Sequence, residues 1–278
     1  MQTVDPMLPI QYRIKSKTLE NQDTFTFELL PLDPEGNFRF LPGQFNMLYL
    51  FGMGEVAISI SGDSEKALPI VHTIRAVGTV TKAMQNLQAG DVIGVRGPFG
   101  SSWPIETAKG KDVLVIVGGI GLAPLRPVLY YLMAHREDYG QVSLLYGART
   151  PEDQIFMSEY SEWSKKLAVY TTVDRVDKTK NNWQGQVGVV TNLIAKAKFD
   201  ANNSIAMICG PEIMMRFVGL KLKDLGMNLE NIFISMERNM KCAIGFCGHC
   251  QLAGTFICKN GPVYTYQEMQ KYLELREV

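Results

Sequence analysis

The sequence predicts a closed β-barrel, then an α/β domain with a parallel sheet, then a small C-terminal domain built around four cysteines. Three observations carry that prediction. From about residue 10 to 105, short β-branched and aromatic runs alternate with Gly and Pro breakers. From about residue 111, strand-like runs alternate with helix-like ones. Four of the five cysteines fall between Cys242 and Cys258. The domain bounds that follow are 1–108, 109–232 and 233–278, and 278 residues suffice for two real cores.

The barrel strands come first. Tyr12-Arg-Ile-Lys15, Thr24-Phe-Thr-Phe-Glu-Leu29 and Phe45-Asn-Met-Leu-Tyr-Leu50 are rich in β-branched and aromatic residues, some alternating with period two. Val56-Ala-Ile-Ser-Ile60, Val71-His-Thr-Ile-Arg-Ala-Val77 and Asp91-Val-Ile-Gly-Val-Arg96 continue the series. Pro31, Pro34, Gly36, Pro42, Gly43, Gly52 and Gly54 keep the pieces short, and closure into a barrel removes the sheet edges such pieces would expose. One helical pattern, Val80 to Leu87, interrupts this half.

In the second half, Val113-Leu-Val-Ile-Val117 is a continuous β-branched run, as a strand buried on both faces requires. Val142 to Tyr146, Ala168 to Val173 and Ser204 to Cys209 read as further strands. Leu125 to His135, Ser158 to Lys166, Val190 to Lys198 and Glu212 to Leu225 read as the helices between them. Alternating strand and helix implies a parallel sheet covered by helices. The polar, turn-forming stretch Thr107 to Asp112 marks the boundary.

Composition narrows the function class. The 28 basic and 28 acidic side chains cancel, which argues against a phosphate-tracking surface and a nucleic-acid partner. The apolar run at Val113 to Val117 is far too short to span a bilayer, so no membrane partner is expected. Met1-Gln-Thr-Val-Asp-Pro6 has neither the basic nor the apolar stretch of a signal peptide. The expected location is cytoplasmic, where thiols stay reduced and a disulfide framework is disfavoured.

Three loops concentrate the chemistry. Val117-Gly-Gly-Ile-Gly-Leu-Ala-Pro124 follows a buried strand and precedes a helix, where glycines bring backbone N–H groups to a pyrophosphate. A tight turn with no ligand is the plainer alternative. Cys209-Gly-Pro-Glu212 and Tyr146-Gly-Ala-Arg149 share the C-terminal edge of the predicted sheet, along which open α/β sheets bind ligands. The candidate dinucleotide contacts are Gly118, Gly119, Gly121, Ala123, Pro124, Gly147, Arg149, Gly210 and Pro211.

A small barrel followed by GGxGxxP, Tyr146-Gly-Ala-Arg-Thr150 and Cys209-Gly-Pro211 resembles the ferredoxin–NADP reductase superfamily. The resemblance implies an FAD-binding β-barrel of the ferredoxin-reductase type and a Rossmann-like domain that binds NADP(H) or NAD(H). Val56-Ala-Ile-Ser59 falls where that superfamily carries its flavin motif Arg-x-Tyr-Ser. Ser59 matches the serine, whose hydroxyl would reach the flavin N5 region. Val56 replaces the arginine and Ile58 the stacking tyrosine, so backbone groups or other side chains would substitute. In His72-Thr-Ile-Arg-Ala-Val-Gly-Thr-Val-Thr81, the resemblance places Ile74, Arg75, Gly78, Val80 and Thr81 on the flavin, with a helix N-terminus facing phosphate. Thr81 also reads as a plain N-cap. Cys209 would face the nicotinamide, or be a buried structural cysteine.

Cys242, Cys247, Cys250 and Cys258 stand at C-x4-C-x2-C followed by seven residues and a fourth cysteine, the spacing of plant-type [2Fe–2S] ferredoxins. Ala243, Gly245 and Gly248 are the small residues a tight loop needs to aim N–H groups at sulfur. Zinc is the alternative, although zinc ribbons use paired C-x2-C knuckles and only one occurs here. A Rieske centre needs two histidines, and of His72, His135 and His249 only the last is in the loop.

The tail narrows the resemblance. Ile234 to Cys242, the cysteine loop and Cys258-Lys-Asn-Gly-Pro-Val-Tyr-Thr-Tyr266 closely resemble the gamma (diaphorase) subunits of NAD(P)-linked [NiFe] hydrogenases, or sulfhydrogenases. Leu41-Pro-Gly-Gln-Phe45, Gly97-Pro-Phe-Gly100 and Ala148 to Asp153 extend the match along the chain. The resemblance implies FAD, one [2Fe–2S] cluster and a nicotinamide nucleotide. It also implies a heterotetrameric complex with an iron–sulfur ferredoxin-like subunit and the [NiFe] small and large subunits. NADP is favoured by Arg149 and by the hydrogenase likeness. Glu237 would lie near the flavin, or form a surface salt bridge. Anaerobic sulfite reductase B subunits and dihydroorotate dehydrogenase electron-transfer subunits share the plan, which leaves an NADH-oxidising role in such a complex as the alternative. A structural subunit with vestigial cofactors is the other, raised by Val56 and Ile58. Nicotinamide exchanges a hydride and a cluster single electrons, so a flavin must stand between them. Outside the loop only Cys209 remains, too few cysteines for a [NiFe] centre.

Overall fold

The computed structural model describes residues 5–33, 38–177, 179 and 183–273; Pro34 and Gly36 lie outside them, as do Met1 to Val4. The chain forms two compact units. One holds the residues up to Ser102 together with Glu237–Pro262, the other Trp103–Met236 with the residues from Val263 on. Among the described residues, no helix is long and apolar enough to cross a membrane.

The first unit contains β1 (Ile10–Leu19), β2 (Thr24–Pro31), β3 (Phe45–Leu50), β4 (Gly54–Ser59), β5 (Ile70–Arg75), α1 (Thr79–Met84) and β6 (Val92–Phe99). Its antiparallel sheet runs β4-β3-β6-β1-β2-β5. An antiparallel bridge between Ile60 and His72 joins the two ends and closes the barrel that the short strands predict. The period-two pattern of β2 decides its faces: Phe25, Phe27 and Leu29 enter the core. Thr26 turns the other way and shares a 2.9 Å hydrogen bond with Thr73, its partner on β5.

In the second unit, β7 (Asp112–Gly118), α2 (Leu122–Ala134), β8 (Val142–Ala148), α3 (Tyr160–Trp163), β9 (Ala168–Val173) and β10 (Gln186–Val187) follow in order. Then come β11 (Ser204–Cys209), α4 (Glu212–Asp224) and β12 (Ile232–Ser235). The sheet order is β10-β9-β8-β7-β11-β12, all parallel, so the direction of strand addition reverses between β7 and β11. Val113–Val117 is buried throughout, as its unbroken β-branched run requires. Leu122, Leu125, Leu129 and Leu132 of α2 recur at three- and four-residue spacing and are fully buried in the same core.

The last residues divide between the units. The short strands β13 (Gln251–Leu252) and β14 (Thr255–Phe256) and helix α5 (Ile257–Asn260) belong to the first, β15 (Val263–Thr265) and α6 (Tyr266–Leu273) to the second. β15 pairs antiparallel with β12 and finishes the sheet. Gly219 of α4 leaves room for Tyr266, since a Cβ there would stand 2.1 Å from its ring.

By packing, residues 233–278 divide between the two units: β12 and β15 complete a sheet edge, and the cysteine loop belongs to the barrel unit. The boundary near 108 moves to 102, because Trp103, Ile105 and Ala108 are buried in the α/β core. Two expected helices are reduced. Ser158 to Lys166 keeps one α-turn, within which only Trp163 is buried. Val190–Lys196 winds as a 3-10 helix that buries Val190, Leu193 and Ile194.

Candidate functional site

Strand β4 is unlike its neighbours: all six of its residues are half-buried, whereas β3 is buried from Phe45 to Leu48. Val56 pairs with Leu48 and Ile58 with Asn46, so the two apolar side chains share one face, packed at the margin of the barrel core beside Val80. Glu55 and Ser59 face the other way. This half-open apolar strand, next to the first-turn N–H groups of α1, fits a flat aromatic ring with a phosphate tail. Beneath it lies a neutral imidazole. Burial pushes the His72 pKa down to about 4. Its Nδ1–H donates to the Ser59 carbonyl at 2.9 Å and its Nε2 accepts from Asn46 Nδ2 at 3.0 Å.

The other flavin candidates divide. Gly78 precedes α1, and the Thr81 hydroxyl accepts its N–H at 3.0 Å and that of Val77 at 3.1 Å, so this side chain is committed to the cap. Arg75 pairs with Asp23 at 2.9 Å. The Ile74 side chain is fully buried in the barrel core, so only its backbone is left to meet a ligand. Glu237 is exposed, and among the described residues its carboxylate makes no ion pair, so the surface salt bridge is not formed.

The α/β unit gathers its candidates along one edge. Gly118, Gly119 and Gly121 leave β7, Gly210 and Pro211 leave β11, and Gly147 and Arg149 leave β8. All lie at the carboxyl ends of parallel strands, and the first two sets flank the point where strand order reverses. Gly119 has φ 54, in the left-handed region. A Cβ on Gly121 would stand 2.4 Å from the Cys209 carbonyl oxygen, so the two turns touch backbone to backbone. With no side chain between them, the first-turn N–H groups of α2 are left for an anion. Ala123 and Pro124 are buried in that turn and are packing residues. Cys209 is 9% exposed and packs in the core at the carboxyl end of β11. Arg149 is exposed and pairs with Asp153 at 2.9 Å. Thr150, Glu152, Arg175, Val176 and Asp177 line a neighbouring cavity of about 530 Å³.

The cysteine loop belongs to the barrel unit. Cys242, Cys250 and Cys258 are buried and Cys247 is exposed. Cys242 lies beside Cys247, and Cys258 beside both Cys250 and Cys242. Phe246 and Cys247 aim N–H groups at Cys242 Sγ at 3.3 and 3.4 Å, Gly245 at Cys258 Sγ at 3.2 Å, and Cys258 at Cys250 Sγ at 3.4 Å. Positive φ at Ala243, Gly245 and Gly248 lets the chain wrap this closely, with a strain of ~1 kcal/mol or more at the alanine. Burial pushes the Cys242 thiol up, but the N–H groups of Cys247, Ile244 and Phe246 outweigh it and bring the pKa to about 6. Burial and the bond shared with Cys250 push Cys258 up to about 12. Metal binding at Cys258 must therefore displace a proton. Among the described residues, no group of three or more His, Cys, Asp or Glu side chains is already arranged around a single metal ion. Four cysteine sulfurs in a set of N–H donors fit an iron–sulfur cluster. His249 is exposed.

Two features were not singled out from the sequence. His72 and Asn46 hold the end of β4, and the buried Arg96 pairs with the half-buried Glu55 at 2.7 Å. A charge inside the apolar strand Val92 to Phe99 is the signal for the second; nothing in the sequence marks the first.

Comparison with known proteins agrees with this architecture. The family model of the oxidoreductase NAD-binding domain matches residues 115–219, and that of the iron–sulfur cluster binding domain of dihydroorotate dehydrogenase B matches residues 237–270. Sulfhydrogenase 2 subunit gamma of Pyrococcus furiosus is 37% identical over 270 residues, covering 91% of this chain and 93% of its own. A probable dihydroorotate dehydrogenase B (NAD(+)) electron transfer subunit of Methanocella arvoryzae is 34% identical over 274 residues, 96% of each chain. Among solved structures, a chain of the NADH-dependent reduced ferredoxin–NADP oxidoreductase superposes with a TM-score of 0.74 at 28% identity, covering 98% of this chain and 94% of that one. Fold and site together define an oxidoreductase subunit of ferredoxin-reductase architecture, with an NAD-binding domain and an iron–sulfur segment. Within that class, the chain belongs to the family of the sulfhydrogenase gamma subunits.

Proposed function

We propose that the chain is the electron-transfer (diaphorase) subunit of a cytoplasmic [NiFe] hydrogenase complex, moving electrons between NAD(P)H and a [2Fe–2S] cluster by way of FAD. The observation that carries this reading is the thiol set: four cysteines, surrounded by N–H groups, in the same compact unit as the half-open strand β4. Cys242, Cys247, Cys250 and Cys258 would hold a dinuclear cluster, with which the C-x4-C-x2-C spacing agrees. A bound flavin takes a hydride's electron pair and releases the electrons singly, which links a nicotinamide to an iron–sulfur cluster.

The residues divide the work. Gly118, Gly119, Gly121, Gly147, Gly210 and Pro211 keep side chains out of the way so that backbone N–H groups can hold the dinucleotide phosphates. Arg149 stands ready for an additional phosphate, which favours NADP. Val56 and Ile58 offer an apolar bed for the flavin ring, Ser59, on the opposite face of β4, a hydroxyl past the end of the strand, and Gly78 and Val80 the turn beside its phosphates. The exposed Cys247, next to Phe246 with 88% of its surface free, is where electrons leave for a ferredoxin-like partner subunit. Dihydroorotate dehydrogenase B-type electron transfer is the second reading, favoured by the family model over residues 237–270.

Replacing Cys247 by Ser tests the path. In anaerobically purified complex, NADPH or NADH should still bleach the flavin, while reduction of the partner subunit fails. Delivery at the wild-type rate would remove the cluster from the path. A nickel-containing large subunit that co-purifies supports the hydrogenase; a dihydroorotate-oxidising partner turns the assignment to the second reading.

A further inference from the structure

We propose that the end of β6, Arg96 to Ser101, is the platform on which the cysteine loop is mounted, with Arg96 as the residue that positions the cluster relative to the flavin strand. The inference rests on the cluster reading above. It gives a role to two sequence features that the site so far leaves unused, Leu41-Pro-Gly-Gln-Phe45 and Gly97-Pro-Phe-Gly100.

Arg96 has a side chain 2% exposed, and its guanidinium uses all five of its N–H donors. Two go to Glu55, from Nε to Oε2 at 2.8 Å and from Nη2 to Oε1 at 2.7 Å. Nη2 also donates to the Lys241 carbonyl at 2.9 Å, and Nη1 to the carbonyls of Cys242 at 2.9 Å and Pro6 at 3.0 Å. Glu55 is on β4, immediately before Val56. One planar group thus joins the strand of the flavin candidates to the backbone of the first cysteine. Lysine, a single point charge, cannot reproduce that fork.

The far end of the loop rests on the same strip. The Ser101 N–H donates to the Gly261 carbonyl at 2.7 Å. Gly100, at φ 84, lies so close that a Cβ would stand 2.7 Å from Pro262 Cδ and 2.9 Å from the Gly261 oxygen. Gln44 of the Leu-Pro-Gly-Gln-Phe motif secures the strip by donating to the Gly100 carbonyl at 3.0 Å. The loop is held at Lys241–Cys242 and at Gly261–Pro262, while its tip at Phe246 and Cys247 stays exposed.

Position and charge both follow. A cluster gains one negative charge when it takes one electron, so a fixed cation beside its first ligand favours the reduced form and a fixed carboxylate opposes it. Glu55→Gln should therefore raise the cluster's midpoint potential in an EPR-monitored titration, and Arg96→Gln should lower it. Arg96→Lys keeps the charge and loses the fork. NADPH should still bleach the flavin, while electron passage to the cluster, followed by stopped-flow absorbance, slows roughly tenfold or more. Wild-type passage in Arg96→Lys together with an unchanged midpoint in Glu55→Gln would overturn the proposal. If Arg96→Lys does not fold, an unchanged midpoint in Glu55→Gln overturns it alone. Wild-type protein without an iron–sulfur spectrum would instead remove the cluster reading on which the proposal stands.

Discussion

The glycine turns of the α/β unit and the cysteine loop of the barrel unit are two solutions to holding a charged group, and they are built from opposite materials. The turns work by leaving side chains out: Gly121 approaches the Cys209 carbonyl so closely that no Cβ fits between them. The loop works by putting side chains in: four sulfurs, a buried guanidinium and its carboxylate partner. A site made of backbone fails when any atom is added to it. A site made of side chains fails when one is taken away or its charge is changed.

The largest effect should come from adding atoms to the first kind. Gly121→Val sets a branched Cβ against a carbonyl 2.4 Å away, and a backbone atom cannot swing aside as a flexible side chain can. The turns must part, at a cost of roughly 1–3 kcal/mol or more. NAD(P)H-driven flavin reduction should fall on the order of 100-fold, because the phosphate contacts lose their geometry. The iron–sulfur spectrum and its reduction by dithionite should survive, since the loop belongs to the other unit. A variant oxidising NADPH at the wild-type rate would mean that the nucleotide binds elsewhere.

This contrast was unequally legible in the sequence. Val113–Val117, the glycine turn after it and the C-x4-C-x2-C spacing are local patterns whose physics is contained in a few adjacent residues. The barrel followed from the short strands with their Gly and Pro breakers and the parallel sheet from alternating strand and helix. The 3-10 winding at Val190 did not follow, because buried residues three and four apart fit either helix. The split of residues 233–278 was invisible for a different reason. β15 is three residues long and pairs with β12 nearly thirty residues back, a long-range choice that no local periodicity records. Arg96, 146 residues from Cys242, and the His72–Asn46 pair are likewise side-chain contacts between strands, and only the fold brings them together.

Acid should separate the two units next. Of the chain's three histidines only His72 is buried, and it is in the barrel. Its folded pKa of about 4 lies below the ordinary 6.5, so between those values the unfolded chain takes up a proton that the folded chain refuses. Above pH 6.5 the group contributes nothing. As pH falls from 6.5 toward 4, stability drops by about 1.4 kcal/mol per unit, some ~3 kcal/mol in all. His72→Gln keeps a donor and an acceptor without titrating, and should flatten this slope. Urea midpoints at about pH 7.5 and about pH 5 measure it. An equal fall in wild type and variant would locate the acid sensitivity outside the barrel.

The smallest effect belongs to Arg149, the one charged side chain among the candidate nucleotide contacts. It is 56% exposed, and its 2.9 Å pair with Asp153 joins surface residues four apart, worth under ~1 kcal/mol. Arg149→Ala should leave the melting temperature almost unchanged, unlike either substitution above. Its effect should appear only in discrimination. A guanidinium lost from a phosphate removes a charge-assisted hydrogen bond, so the KM for NADPH should rise about tenfold while that for NADH stays put. Equal changes for both nucleotides would leave the whole site a backbone site, with no side chain selecting the phosphate, and would carry the contrast between the two units further than the NADP reading allows.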